Sequence, residues 1–198
     1  MIQALTDDEV GALGEGRAVL REDALAPDLR RACAAAVRSL HQHGALAPAG
    51  IGRAGLVRPD IRSDSLAWVD DRIGEAPFAG LHAAFESLRD VVNAQVWLGL
   101  RGFSLMVARY GADGAAYARH LDAFKGDPER RFTAIVYLHD AWGPDDGGAL
   151  VAYEPDGARV ITPAPGRLVM FLADRLEHEV RPAYAERLTA TAWFRATP

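Results

Sequence analysis

From Ser104 to Phe194 the chain breaks into short runs of β-forming residues separated by turn chemistry, and no other feature limits its fold as tightly. The runs are Ser104–Tyr110, Ala116–Asp122, Thr133–His139, Gly148–Glu154, Arg159–Pro163, Arg167–Ala173, His178–Pro182 and Arg187–Phe194. Between them lie Gly-Ala-Asp-Gly at 111–114, Gly-Pro-Asp-Asp-Gly-Gly at 143–148, Pro-Asp-Gly at 155–157 and Pro-Ala-Pro-Gly at 163–166. Such residues take up the backbone angles of tight reversals. Strands this short and this evenly spaced predict an antiparallel barrel or jelly roll.

The first half has a different period. In Pro27–His43 the apolar residues Leu29, Ala32, Cys33, Ala36, Val37 and Leu40 recur at helical spacing, with Asp28 near the start and Gly44 after the end. A second helix fits Pro77 to about Leu98, with Phe78, Leu81, Phe85, Leu88, Val91 and Val92 on one side. No repeat or linker interrupts the 198 residues, so the expectation is one α+β domain. Residues 1–100 would give mainly helical support on one face of the sheet, and residues 101–198 the jelly-roll core.

Composition removes several function classes. A formal net charge of -5 gives no basic footprint for nucleic acid. No apolar stretch approaches a membrane span. The start Met1–Asp8 lacks the positive flank and apolar block of a secretory signal. The single cysteine, Cys33, excludes an internal disulfide and a Cys-rich metal site, and reads as a small buried hydrophobe. A reducing cytoplasm is the expected setting.

His120-Leu121-Asp122 ends a predicted strand, where alternate side chains share a face. Two unlike ligands would therefore meet, and His178, at the head of a later strand, could supply a third. Two histidines and a carboxylate on one face of an octahedron form the facial triad of non-haem Fe(II) oxygenases. The same set can hold zinc, and His-x-Asp alone is common by chance and far more often structural than metal-binding. In the last strand Arg187, Thr189, Thr191 and Trp193 fall on one face, and Leu188, Ala190, Ala192 and Phe194 on the other. An inward Arg187 needs a carboxylate partner. A dicarboxylate cosubstrate would serve; the alternative is a surface arginine paired with a residue such as Glu186.

These residues carry a family resemblance. Met106-Val107-Ala108-Arg109-Tyr110 followed by Tyr117-Ala118-Arg119-His120-Leu121-Asp122 resembles the opening of the catalytic core of the HIF prolyl hydroxylases. So do Ile135-Val136-Tyr137-Leu138, the Gly147-Gly148 turn, and His178 through Arg187 followed by Trp193. Ile61-Arg62-Ser63-Asp64 with Trp68 resembles the segment before that core. The resemblance implies a double-stranded β-helix of the cupin-like, jelly-roll kind, with Fe(II) bound by His120, Asp122 and His178. It implies 2-oxoglutarate held at its distal carboxylate by Arg187 and Tyr137, with Thr191, Ile135 and Leu150 walling the pocket. Tyr110 belongs with this group too, although core packing is an equal reading for it and for Trp68. Arg62, Asp64, Tyr117, Arg131 and Trp193 would border the substrate cleft.

The activity so implied is a dioxygenase that uses O2 and 2-oxoglutarate, with ascorbate as a candidate reductant, to hydroxylate C4 of a prolyl residue. The compact chain resembles bacterial members, some of which act on elongation factor Tu, so the partner would be a protein bearing the target proline. A hydroxylase of a free amino acid or other small molecule, and a non-catalytic metal-binding sensor, are the competing readings. The residues before about 55 and the loop Ala123–Phe132 depart from the family pattern, leaving target choice open. That loop and Gly50–Ser65 are the segments expected to close over substrate.

Overall fold

Alternation along the last strand divides the molecule into layers. The computed structural model describes residues 3–51, 55–70, 75–123 and 129–197. Its helices are α1 (Asp7–Gly14), α2 (Pro27–Gln42) and α3 (Phe78–Val96). The first half also holds the strands β1 (Val19–Arg21), β2 (Ala47–Pro48), β3 (Gly50–Ile51), β4 (Leu56–Val57) and β5 (Ser65–Trp68). Then come β6 (Gly102–Tyr110), β7 (Ala115–His120), β8 (Arg130–Tyr137) and β9 (Leu150–Glu154). The chain continues through β10 (Gly157–Ile161), β11 (Leu168–Leu172), β12 (Glu177–Ala183) and β13 (Arg187–Arg195). The last eight strands are those read from the sequence, shifted by a few residues at their ends.

Two antiparallel sheets face each other. The larger has the order β1-β11-β8-β13-β6-β5-β2 and the smaller β10-β9-β12-β7, while β3 and β4 form a separate hairpin. This crossing order gives a double-stranded β-helix. Its sheets stay open, which corrects the expectation of a barrel. Between β5 and β7 the gap is spanned by residues 61–64 rather than closed strand to strand. Ser63 N–H donates to Ala116 O at 3.1 Å and Ala118 N–H to Ile61 O at 2.8 Å.

The larger sheet separates an apolar side from a polar one. Leu188, Ala190, Ala192 and Phe194 of β13 join Phe132, Ala134 and Val136 of β8 in a core with the helices. From α3 come Phe78, Leu81, Phe85, Leu88 and Val92, and from α2 Cys33, Ala34 and Val37. Phe194 is fully buried, with ring centroids 5.0 Å from Phe103 and 5.6 Å from Phe132. Phe194→Ala is expected to cost about 3–5 kcal/mol, because the rigid sheet cannot collapse into the void. Urea unfolding measures it.

The mainly helical first half misses β1, β2 and β5, each of which extends the larger sheet. Two to four residues are too few to show a period of two. Of the segments expected to close over substrate, residues 52–54 and 124–128 lie outside the described residues, as do Met1 and Ile2 of the leader reading.

Candidate active site

The opposite face of the larger sheet looks into the space between the sheets. There His178 of β12 stands directly across from His120, the last residue of β7. The strand stops at His120, and the turn that follows returns Asp122 to it. His120 Nε2 lies 3.6 Å from Asp122 Oδ1, and His178 Nε2 lies 3.9 Å from Asp122 Oδ2. One potential ligand atom from each residue falls within 4.8 Å of the others.

Local hydrogen bonds orient all three. His120 Nδ1 lies 2.7 Å from Ala118 O and His178 Nδ1 3.1 Å from Leu176 O. Each ring thus donates its Nδ1–H to the backbone and turns an Nε2 lone pair toward Asp122, the arrangement seen where histidine binds metal. Thr133 Oγ1 donates to Asp122 Oδ2 at 2.8 Å. Burial works against the Asp122 charge, but His178, His120 and the Thr133 hydroxyl prevail and hold its carboxyl well below the usual range. Burial also pushes His178 down to about 4, against the pull of Asp122. A carboxylate and two imidazoles whose Nε2 atoms face it make a donor set that fits an octahedral divalent ion.

Deeper in the same space lies Arg187, 1% exposed. Its guanidinium carbon stands 4.8 Å from the centre of the Tyr110 ring and 4.9 Å from that of Tyr137, and Nη2 is 3.5 Å from the Tyr137 hydroxyl. Among the described residues its Nε has no hydrogen-bond partner. Among the described residues no carboxylate lies within ion-pair reach of it. Glu186 is no partner: it turns outward to Arg38 at 2.7 Å and Arg109 at 2.8 Å. A buried guanidinium left in this way costs several kcal/mol unless an anion joins it. Ile135, Leu150, Thr189 and Thr191 wall the cavity between Arg187 and His178.

Gly148 allows Arg187 its place. Its φ is +61°, and a Cβ there would meet Trp142 at 2.9 Å and Arg187 Cδ at 3.0 Å, so both conformation and space favour glycine.

His139 had no role in the sequence reading. It is buried, its Nε2–H donates to Pro163 O at 2.7 Å, and its Nδ1 accepts from Leu188 N–H at 3.4 Å. It therefore pins the backbone beside Arg187. The available signal was its parity with Tyr137 on one strand face. Burial first, then the charges of Arg187 and Arg30, push His139 down to about 4 despite the Pro163 bond. Above its ordinary value of 6.5 the ring is neutral folded or unfolded. As pH falls from there toward 4, only the unfolded chain takes the proton, so stability is lost. We expect His139→Gln to reduce that loss by about 2 kcal/mol, read from urea unfolding at pH 7 and pH 4.5.

Outward from the triad, a cleft of about 710 Å³ opens past Arg62, Tyr117, Trp68 and Trp193. Arg62 makes a buried two-bond pair with Asp64, at 2.7 and 2.9 Å, and sits 4.6 Å over the Tyr117 ring. Asp64 serves the cleft only through Arg62. Tyr117 stacks on His120 at 3.6 Å. Trp68 lines the cleft 41% exposed, 5.9 Å from Trp193, so core packing is not its role. Tyr110 is buried at the Arg187 end and lines the cavity.

Arg131 does not border the cleft. Arg195 pairs with Arg130 while Phe194 pairs with Phe132, so a bulge leaves Arg131 unpaired and exposed. An extra residue in one strand turns the following side chains over. Arg130 takes the inward position, 4.5 Å over Trp193, and donates to Asp122 O at 3.1 Å.

Comparison with known proteins agrees with this geometry. The sequence profile of the 2OG-Fe(II) oxygenase superfamily matches residues 105–195. Egl nine homolog 1 of Rattus norvegicus is 34% identical over 144 residues, which make up 68% of this chain and 42% of the rat protein. The chain thus spans less than half the length of that relative. Human prolyl hydroxylase EGLN3 is 31% identical over 172 residues, 80% of this chain and 70% of the human protein. A solved prolyl-4-hydroxylase of Pseudomonas putida superposes with a TM-score of 0.85 at 38% identity, covering 95% of this chain and 97% of that one. A Trichoplax adhaerens prolyl hydroxylase, solved with a peptide of hypoxia inducible factor, also reaches 0.85, at 27% identity over 94% and 87% of the two chains.

Proposed function

We infer the function of this chain from its family: it belongs to the 2OG-Fe(II) oxygenase superfamily, among the prolyl hydroxylases. We read it as an enzyme that hydroxylates a prolyl residue of a protein, consuming O2 and 2-oxoglutarate and releasing succinate and CO2. One observation carries this reading. A single cavity joins the triad at one end to a buried guanidinium with an unpartnered Nε at the other. A module that only bound metal would need no such arginine.

His120, Asp122 and His178 would hold Fe(II). Arg187, with the Tyr137 hydroxyl beside it, would receive the distal carboxylate of 2-oxoglutarate, a planar anion that a guanidinium matches with two parallel bonds. Thr191, Ile135 and Leu150 would hold the chain of the cosubstrate against the sheet. Bound together, iron and 2-oxoglutarate supply with O2 the oxidising power for C–H hydroxylation, with ascorbate as a candidate reductant. The protein's own work is orientation. Thr133 restrains Asp122, His139 and Gly148 fix Arg187, and Arg62 with Tyr117 and Trp193 wall the place a prolyl ring would take.

C4 as the site of hydroxylation and elongation factor Tu as the target extend this proposal on the strength of the family resemblance, and a reducing cytoplasm as the setting extends it from the composition of the chain. Incubation with prolyl peptides, segments of elongation factor Tu among them, and with free proline separates the readings. A gain of one oxygen atom on a peptide proline, assigned to C4 by NMR, is expected. Oxygen gained by free proline alone would replace the protein substrate with a small molecule.

A further inference from the structure

The cavity-facing side of β13 reads, from the closed end outward, Arg187, Thr189, Thr191, Trp193, Arg195. The triad meets this row near Trp193, because Thr133, which bonds Asp122, is the strand neighbour of Trp193. Arg195 comes next on that face, roughly 7 Å farther out at the rise of an extended strand. There it lines the cleft beside Ser104 and donates to the Ser104 hydroxyl.

Apart from Arg187, several arginines near the site have acidic partners. Arg62 has Asp64, Arg109 and Arg38 share Glu186, and Arg119 has Glu177. For Arg195, no carboxylate among the described residues is within ion-pair reach. A half-buried guanidinium, steadied by one hydroxyl and facing a cleft, is prepared for an anion from outside.

We propose that Arg195, held by Ser104, is a specificity residue that pairs with an Asp or Glu side chain two to four residues from the target proline of the protein substrate. This rests on the prolyl hydroxylase reading above. The spacing follows from the geometry. An extended peptide advances roughly 3.3–3.6 Å per residue, so the backbone of Arg195 stands about two residues beyond the triad, and its side chain reaches farther. Trp68 and Trp193 give the intervening residues an apolar wall. A lysine brought to the same place would meet like charge, so the arrangement rejects as well as selects.

The test is a set of prolyl peptides in which one Glu, or one Lys in its place, is moved stepwise through the four residues on either side of the proline. Hydroxylation by the wild-type protein is expected to favour Glu over Lys by about three- to tenfold in kcat/KM at one or two positions, mostly through KM. The preference should shrink in high salt. Arg195→Gln should erase it and Arg195→Glu should invert it, with melting curves recording whether each variant is folded. Should Arg195→Glu fail to fold, Arg195→Gln and the salt dependence decide. Equal kcat/KM for Glu and Lys peptides at every position, or an undiminished Glu preference in folded Arg195→Gln, would overturn the assignment while leaving prolyl hydroxylation intact. No hydroxylation of any peptide would count against the prolyl reading itself, and the inference would fall with it.

Discussion

Arg187→Met is expected to weaken 2-oxoglutarate binding by about two to three orders of magnitude, the loss that follows removal of one partner from a buried charge pair. Two features of the site make the effect that large. The guanidinium is 1% exposed, and among the described residues no carboxylate is near enough to have neutralised it. The substitution should leave metal affinity largely intact, because the triad is held by Ala118, Leu176 and Thr133 rather than by Arg187. A further consequence concerns the ligand-free protein. Methionine fills similar volume without a charge, so the variant should melt no lower than the wild type. In the wild type with Mn(II), 2-oxoglutarate at a hundred times its Kd should stabilise by about 2.7 kcal/mol. In the variant that gain should vanish. Calorimetric titration and thermal melts with and without 2-oxoglutarate check both parts, and an unchanged Kd would remove Arg187 from its place.

His178→Ala is expected to abolish turnover. Only His120 and Asp122 would remain, and metal affinity should fall by more than the ten- to hundredfold typical of losing a supporting hydrogen bond around a metal. Mn(II) titration gives the affinity, and iron retained after dialysis gives the occupancy. Activity at the wild-type level would contradict the triad.

Much of this site was legible because strands write their geometry at a period of two. The split of β13 into a helix-facing row and a cavity-facing row follows the sequence residue by residue. So does the meeting of His120 with His178, although the strand was read through to Asp122 and in fact stops at His120. What stayed hidden has physical causes. The bulge that exchanges Arg131 for Arg130 is a matter of pairing between strands, which no single strand records. The pairing of Arg62 with Asp64, and of Glu186 with Arg38 and Arg109, depends on long side chains choosing among several partners. Helix α1 is only eight residues long, too short for a clear period. Its signal was instead Thr6-x-x-Glu9, a reciprocal cap that both residues complete in the fold.

On the reading proposed above, one cavity couples metal and 2-oxoglutarate to oxidation of a protein's proline. Its most direct test is succinate formation by protein loaded anaerobically with Fe(II) and 2-oxoglutarate, then exposed to O2 with and without prolyl peptides. Succinate is expected to rise with peptide and to match, mole for mole, the hydroxyproline formed. No succinate from protein shown to retain iron would contradict it.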